Sequence, residues 1–299
     1  MSDASSSAEK PKLDTWGILQ KAAKRAGQGG LAGAAAMAIN VCSLMWMRTT
    51  INYQYRYGTT TTEAFKTLYK EGGIPRFYRG VVPALMQGPL SRFGDTAANT
   101  GTIAALEAWE FTAALPVAFK TVAASVAAAG FRILLMPIDT VKTTMQVEGK
   151  DGLKKLMAKF RVAGPSTFFQ GALASASATF VGHYPWFFVY NYLSETLPRY
   201  EETHKKLARS ALIGFCSSAV SDTCSNSIRV LKVYKQSNSE QITYSETLKR
   251  VIKEDGIAGL FGRGLKTKIM ANGMQGLMFS VLWKLIDEKF FKKDDGKKV

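Results

Sequence analysis

The sequence predicts an all-α membrane protein with six transmembrane helices in three pseudo-symmetric repeats, each repeat carrying a short amphipathic helix. Six long apolar segments, rich in small residues and interrupted by polar ones, follow one another along the 299-residue chain. A stretch of aromatic and glycine residues also recurs, and it ends at Gly80, Gly171 and Gly264, with separations of 91 and 93 residues. Repeats of this size are typical of units that cannot bury their apolar faces alone. A mean hydropathy of −0.03 fits helices that each turn one face to a wet cavity.

Composition and motifs exclude several classes of protein. A formal charge of +16 would suit a nucleic-acid binder or a protein at an anionic membrane surface. Nucleic-acid binding is not expected, because the basic residues are spread along the chain without zinc-finger spacing or a basic-region helix. The three cysteines lack ligand spacing and are predicted to be reduced thiols. The sequence contains no Walker loop, dinucleotide fingerprint or zincin helix, so no enzyme, catalytic residue, cofactor or metal is predicted.

The first repeat, residues 22–111, follows a polar segment, residues 1–14, that is predicted to be a disordered tail. Its apolar segments, residues 27–47 and 81–111, flank a short amphipathic helix with apolar residues at helical spacing. The first apolar segment is about long enough to cross a bilayer. We therefore expect a long helix, a short helix and a second long helix in this unit.

The second and third repeats follow the same plan, at residues 116–197 and 206–291. Each contains two apolar segments around a short amphipathic stretch, and the stretch in the second repeat is basic. We expect the three repeats to form one domain, residues 15–291, followed by a charged tail, residues 292–299.

One motif stands at the end of the third apolar segment, at Met136–Gln146. Pro137 interrupts helical hydrogen bonding there, and Asp139 and Lys142 are three apart, so they share a helix face. Taken alone, this pattern also fits a kinked helix that ends at a water surface with ordinary solvated charges. Alignment of the repeats finds counterparts of the motif, which are Ser43–Asn52 and Ser227–Gln236.

With these motifs the chain resembles the mitochondrial carrier family over about residues 22–291. The family signature is Pro-x-[Asp/Glu]-x-x-[Lys/Arg] on each odd-numbered long helix, followed by an acidic-Gly stretch that ends in aromatic-[Lys/Arg]-Gly. The second repeat matches the first half of the signature, and the first repeat matches the second half. The matching residues are Pro137, Asp139 and Lys142 in the second repeat, Glu71, Gly72, Tyr78, Arg79 and Gly80 in the first, and Asp255, Gly256, Arg263 and Gly264 in the third. The resemblance implies a six-helix barrel in the mitochondrial inner membrane, with alternating access to a central site and bound cardiolipin.

The resemblance also implies a gate of ion pairs on the matrix side. The positions that would form it are Asp139, Lys232, Arg48, Lys142 and Arg229. The Asp139–Lys232 pair is kept, whereas Lys142 would face Met45 without an acid. Arg48 would face Arg229, which is a like-charged pair. Since an ion pair in a wet cavity contributes about 1 kcal/mol or less, we expect a weak gate held by one pair.

Substrate-binding positions are harder to predict, because the basic positions of anion carriers in this family correspond to the uncharged residues Gln87, Ala178 and Ala271. Polar side chains on cavity faces are the remaining candidates, since charged groups within a membrane helix usually face inward. The candidate substrate-binding residues are Gln87, Arg92, Asp95, His183, Lys268 and Asn272. Arg92 and Asp95 could equally form an intrahelical pair, and we favour a hydrogen-bonded core role for His183. Asp222 is a further buried acid that needs a partner, for which we expect Arg92.

The glycine stretches suggest lipid sites. Glycines near helix starts leave backbone N–H groups free for a phosphate, and neighbouring arginines add charge. The candidate cardiolipin-binding residues are Gly72, Arg79, Gly80, Gly171, Arg263 and Gly264. In the alternative interpretation the glycines serve tight turns only. Cardiolipin and other anionic lipids are the partners that the resemblance implies.

Two functions remain open. The first is transport of a small molecule of unknown identity by alternating access. The alternative is a carrier-fold protein that has lost transport and serves as a structural or assembly subunit of a larger respiratory or ATP synthase complex. The missing gate pairs and the uncharged contact positions favour the alternative more than they would for an ordinary carrier.

Overall fold

The computed structural model describes residues 39–107, 112, 115 and 117–286, without the side chains of 279–286 and of several residues between 92 and 121. This part of the chain is all-α, in agreement with the predicted fold class. Its helices are α1 (39–57), α2 (Thr61–Phe77), α3 (Val81–Glu107), α4 (Val117–Leu134), α5 (Met136–Glu148), α6 (Gly152–Ala163), α7 (Ala172–Thr196), α8 (Thr203–Ser237), α9 (Tyr244–Gly262) and α10 (Leu265–Ile286). Short 3-10 turns flank α6, at Gly149–Asp151 and Gly164–Phe169. Both predicted tails lie outside the described residues.

Helix length and hydropathy give a mixed result for membrane spans. Among the described residues, no single helix is both long and apolar enough to qualify as a span. Val122–Leu134 together with Met136–Thr196 qualifies by length and composition, with a bend of 61° at the break.

The predicted kink at Pro137 is a complete break between α4 and α5. Leu135 separates the two helices, and Pro137 is the second residue of α5, where its missing N–H leaves no hydrogen bond unmade. Asp139 then lies in the first turn of α5, and its backbone N–H donates to the Leu135 carbonyl at 3.1 Å. A carboxylate in a first turn is favoured by the helix dipole.

Helix α1 continues ten residues beyond the apolar segment predicted from the sequence. Most of its polar continuation is buried or half-buried, because the side chains there find partners in other elements. Thr49 Oγ1, for example, donates to the Phe77 carbonyl at 2.6 Å. The helix ends just before Gly58, which has a φ of 68° that other residues rarely adopt.

The short helices have clear start signals. Thr60 and Glu63 form a capping box at the start of α2, and Thr243 accepts a hydrogen bond from the backbone of Glu246 at the start of α9. Both helices kink at glycines, α2 at Gly72 and Gly73 and α9 at Gly256. The described part of α6 has no such kink.

Helices α7 and α8 pack through small residues. A Cβ at Gly182 of α7 would lie 2.8 Å from Ser221 Oγ of α8, and this hydroxyl donates to the Gly182 carbonyl at 2.7 Å. Ala174 and Ala178 continue the buried face of α7, one turn apart. Small residues at such spacing let two backbones approach closely, which joins the second repeat to the third.

Candidate functional site

Asp139 is the centre of a buried polar cluster in the bundle interior. Its Oδ2 forms an ion pair with Lys232 Nζ of α8 at 2.6 Å, and its Oδ1 forms another with Lys142 Nζ of α5 at 2.7 Å. Asp139 is only 4% exposed. A carboxylate this deeply buried needs compensating partners, and here two ammonium groups supply them.

Two glutamines extend this cluster. Gln87 of α3 donates to Asp139 Oδ1 at 2.7 Å and accepts from Lys142 Nζ at 2.5 Å. Gln236 of α8 donates weakly to Asp139 Oδ2 at 3.4 Å and to Thr140 Oγ1 at 3.2 Å. The cluster therefore joins α3, α5 and α8, which belong to three different repeats.

A second buried acid, Asp222, lies within the third repeat. Asn272 of α10 donates to its Oδ2 at 2.5 Å, and Arg229 lies 3.5 Å from its Oδ1. Arg229 also donates to Ser225 Oγ at 3.1 Å. The expected pairing of Asp222 with Arg92 stays a prediction, because the Arg92 side chain lies outside the described part.

These contacts correct two expectations about the predicted gate. The Asp139–Lys232 contact is present as expected. The prediction that Lys142 lacks an acid is wrong, because Lys142 turns to Asp139 one helical turn away. The expectation that Arg229 faces only the like charge of Arg48 is also corrected, since Arg229 pairs with Asp222. The Arg48 guanidinium donates to Asn40 Oδ1 at 2.6 Å.

The remaining candidate substrate residues have different environments. Gln87 and Asn272 are each bound to a buried carboxylate, as described above. His183 is half-buried; its Nδ1 lies 3.0 Å from Ser125 Oγ, and its ring lies edge-on to Phe187. This environment fits the hydrogen-bonded core role that we favoured. Lys268 of α10 is within electrostatic reach of Asp222, Arg229, Arg48 and Lys142.

Arg92 and Asp95 lie on helix α3, but their side chains are outside the described residues, so both stay predictions.

Three of the glycines proposed for lipid binding have a packing reason of their own. A Cβ at Gly80 would lie 3.0 Å from the Lys142 carbonyl, and one at Gly171 would lie 3.1 Å from both Lys232 and Gln236. A Cβ at Gly264 would lie 2.8 Å from the Tyr55 ring. Each glycine thus lets its segment approach the odd-numbered long helix of the next repeat.

The other three residues proposed for lipid binding, Gly72, Arg79 and Arg263, have different environments. Arg79 is half-buried, and Gly72 has an extended φ of 173° within the kink of α2. Arg263 is unsuited to a lipid phosphate, because its side chain is 1% exposed and bound to Glu254 at 2.9 Å and Asp255 at 2.8 Å. The expectation that Arg263 adds free positive charge is therefore wrong.

Sequence reasoning missed that three cations, of which it had named only Arg263, join the short helices to the next repeat. Arg76, Lys159 and Arg263 each donate to backbone carbonyls at the end of a long helix. They stand four positions before Gly80, twelve before Gly171 and directly before Gly264. Because their spacing differs between repeats, the alignment of the repeats gave no signal for this shared contact.

Comparison with known proteins matches three segments of the chain, residues 20–100, 114–201 and 203–294, to the family described as mitochondrial carrier protein. A similar curated protein is the mitochondrial thiamine pyrophosphate carrier 1 of Meyerozyma guilliermondii, which is 27% identical over 171 residues. That alignment covers 53% of this chain and 58% of the relative. The chain therefore spans little more than half of the length of the relative that it matches.

Proposed function

Because this chain belongs to the mitochondrial carrier family, we propose that it moves a small anionic solute across the mitochondrial inner membrane by alternating access. Members of this family are transporters of the inner membrane rather than enzymes. In this proposal the long helices cross the membrane, and the structure is closed at the end where α2, α6 and α9 lie. The Asp139 cluster is then part of that closure.

The observation that carries the proposal is the excess of cations in the described interior of the bundle. The interior cations are Arg48, Lys142, Arg229, Lys232 and Lys268, whereas the carboxylates are Asp139 and Asp222. Partly buried cations are expensive unless anions compensate them. An anionic solute that enters the bundle would add negative charge beside these cations.

We propose an organic phosphate as the class of solute. Arginine and lysine are the usual ligands of phosphate groups, and Arg48 and Arg229 offer the planar fork that phosphate oxygens fit. The similarity to a protein named as a thiamine pyrophosphate carrier supports a phosphate-bearing solute, at 27% identity over part of the chain.

The same contacts suggest how such a solute would open the closed end. Lys142 and Lys232 share the carboxylate of Asp139, and Gln87 bridges Lys142 and Asp139. A phosphate that reaches Lys142 competes with Asp139 for its ammonium group. Binding would then weaken the contacts that hold α3, α5 and α8 together, so the differential affinity for the opened state drives the change.

Cardiolipin or another anionic lipid remains a proposed partner at the glycine stretches. Gly72, Gly80 and Gly171 lie near helix starts or kinks, where backbone N–H groups favour a phosphate, and Arg79 is partly accessible. The close approach of Gly80, Gly171 and Gly264 to the next repeat accounts for these glycines without a lipid, so it does not add support.

Uptake into liposomes tests the proposal. The purified full chain is reconstituted, and counter-exchange of radiolabelled thiamine pyrophosphate, a nucleotide, inorganic phosphate and a dicarboxylate is compared. We expect exchange of at least one phosphate compound, and we expect Lys142→Met to reduce it at least about tenfold because the cation leaves the site. Lys154→Met, on the exposed face of α6, serves as the control and should exchange normally.

A specific observation favours the alternative, a subunit of a larger inner-membrane complex. Tyr184, Phe188 and Tyr192 stack along one face of α7, and they are 77%, 60% and 60% exposed. A tyrosine hydroxyl in the middle of a membrane helix is costly without a partner, and another subunit could supply one. Co-migration with a respiratory or ATP synthase complex on a native gel, together with no exchange of any tested anion, would replace the transport proposal by this one.

A further inference from the structure

Each short helix sends one buried cation to the end of a long helix in the next repeat. Arg76 Nη1 and Nη2, at the end of α2, donate to the carbonyls of Gln146 and Val147 in α5 at 2.8 and 2.7 Å. Lys159 Nζ of α6 donates to the carbonyl of Asn238, the C-cap of α8, at 2.7 Å.

The third contact closes the circle. Arg263 Nη1, which directly follows α9, lies 3.5 Å from the Tyr55 carbonyl and 3.3 Å from the Arg56 carbonyl of α1. The contacts thus run from the first repeat to the second, from the second to the third and from the third to the first.

The physical reason for the contacts is the same in all three. The last carbonyls of an α-helix have no partner within the helix, and a cation satisfies them and complements the negative end of the dipole. All three cations are at most 7% exposed, so water does not compete strongly for them. The contacts lie at the ends of α1, α5 and α8, one to two turns beyond the gate positions on the same helices.

The three contacts are unequal. Arg76 is held by Glu71 at 2.7 Å, and Arg263 is held by two carboxylates. Lys159 has no carboxylate within ion-pairing distance among the described residues. Its charged neighbour is Lys235 of α8, and burial together with this like charge lowers the pKa of Lys159 to about 8.

Other charged groups on the elements around Lys159 are already engaged or exposed. Glu148 of α5 is paired with Lys155, and Glu240, in the segment after α8, lies 3.8 Å from Arg250. Lys150 and Asp151 of the adjoining 3-10 turn are exposed. The Lys159 contact is therefore the one with a single hydrogen bond and no compensating acid.

We propose that Arg76, Lys159 and Arg263 form a second closure at the short-helix end of the bundle, and that the Lys159 contact releases first when this end opens. The three cations act as positioning residues, since they hold the repeats together without reaching the interior site. The inference rests on the proposed transport function, but contacts of this kind can be tested without any solute.

The proposal has a pH signature with a definite sign. The ordinary pKa of lysine is about 10.4, and that of Lys159 in the folded protein is about 8. A base with a lowered pKa in the folded state costs stability while it is protonated, and this cost disappears as the pH rises from about 8 towards 10.4. The Lys159 contact should therefore become tighter over this range, because the neutral amine still donates to the Asn238 carbonyl.

Two buried positions report on two of the contacts. Val147→Cys places a thiol beside the Arg76 contact, and Ser237→Cys places one beside the Lys159 contact; the native side chains are 1% and 3% exposed. Each is made in the full chain with the native cysteines replaced by serine, and both are labelled in liposomes by a thiosulfonate reagent at pH 8.5. We expect Ser237→Cys to react faster than Val147→Cys. Equal or reversed rates would contradict the order of release.

Substitutions of Lys159 test the contact itself. At the same pH, Lys159→Met should speed labelling of Ser237→Cys about fivefold, as expected for one lost buried hydrogen bond. Lys159→Arg should not speed it, because the donor is kept, and Lys154→Met, on the exposed side of α6, should leave it unchanged. No acceleration by Lys159→Met, or equal acceleration by Lys154→Met, would overturn the proposal.

The thermal midpoint supplies the pH readout. The rise in Tm between pH 7 and 9.5 should shrink in Lys159→Met and Lys159→Arg and persist in Lys154→Met. An unchanged rise in the two Lys159 variants would contradict the proposal. Because neither measurement requires a transported solute, failure of the exchange assay alone would leave these outcomes interpretable.

Discussion

Asp139 and Asp222 are both buried acids surrounded by cations, but they connect different parts of the molecule. Asp139 binds cations from α5 and α8 and a glutamine from α3, so its contacts cross between all three repeats. Asp222 binds Arg229 of its own helix and Asn272 of α10, and both belong to the third repeat. Of the two acids, Asp139 is therefore the one whose described contacts join different repeats, which is what a role in the proposed closure requires.

The largest expected effect is that of Asp139→Asn. The substitution leaves Lys142 and Lys232 close together without their shared carboxylate, and removing one member of a buried ion pair costs about 3 to 5 kcal/mol. Thermal or chemical unfolding of the purified protein measures the change in stability.

Asp222→Asn is the matched substitution on the other side of the comparison. The amide keeps a hydrogen bond to Asn272, and Arg229 keeps Ser225, so we expect a cost of only about 1 kcal/mol. If Asp222→Asn destabilised the protein as much as Asp139→Asn, the distinction between contacts across repeats and contacts within one repeat would be wrong.

A smaller effect is expected for Gln87→Leu. The side chain donates to Asp139 and accepts from Lys142, and loss of these hydrogen bonds in a half-buried position should cost about 1 to 2 kcal/mol. The control is Gln241→Leu, an exposed glutamine whose hydrogen bond to Ser166 is 3.5 Å long. Equal unfolding midpoints for the two variants would show that Gln87 contributes nothing to the Asp139 cluster.

The smallest effect concerns the glycine that packs against Lys232. Gly171 and Gly164 both have positive φ, at 89° and 69°, but only Gly171 has atoms of the next repeat, at 3.1 Å, where a Cβ would stand. Both Gly→Ala changes destabilise the protein by about 1 kcal/mol through backbone strain. We expect Gly171→Ala to cost up to about 1 kcal/mol more, measured as the difference between the two midpoints. A zero difference would mean that the neighbouring side chains move aside freely.

Much of the fold could be predicted from the sequence because helical periodicity and a repeated motif are local or evenly spaced signals. The long and short helices follow the predicted segments, with the main difference that α1 continues to residue 57. Its polar continuation carries no apolar periodicity, and most of its side chains are buried or half-buried through contacts such as that of Thr49 with Phe77. Such contacts between distant parts of the chain leave no pattern in the local sequence.

The site was predicted only in part, for two physical reasons. The spacing of Asp139 and Lys142 by itself predicts that they share a helix face, and the structure pairs them. The family pattern instead placed Lys142 opposite Met45, on another helix. The three-residue spacing within α5 was therefore the better predictor of its partner. Asn272 was predicted to face the interior, whereas its bond to Asp222 depends on how α8 packs against α10, which the sequence does not contain.

The circular order of the contacts between repeats has an evolutionary consequence. A ring of identical subunits joined head to tail uses one interface three times, so that any substitution changes all three copies at once. Here the three interfaces are encoded separately in a single chain, and each can change by itself. The use of arginine at two interfaces and lysine at the third is a difference that a symmetric assembly of identical subunits could not encode.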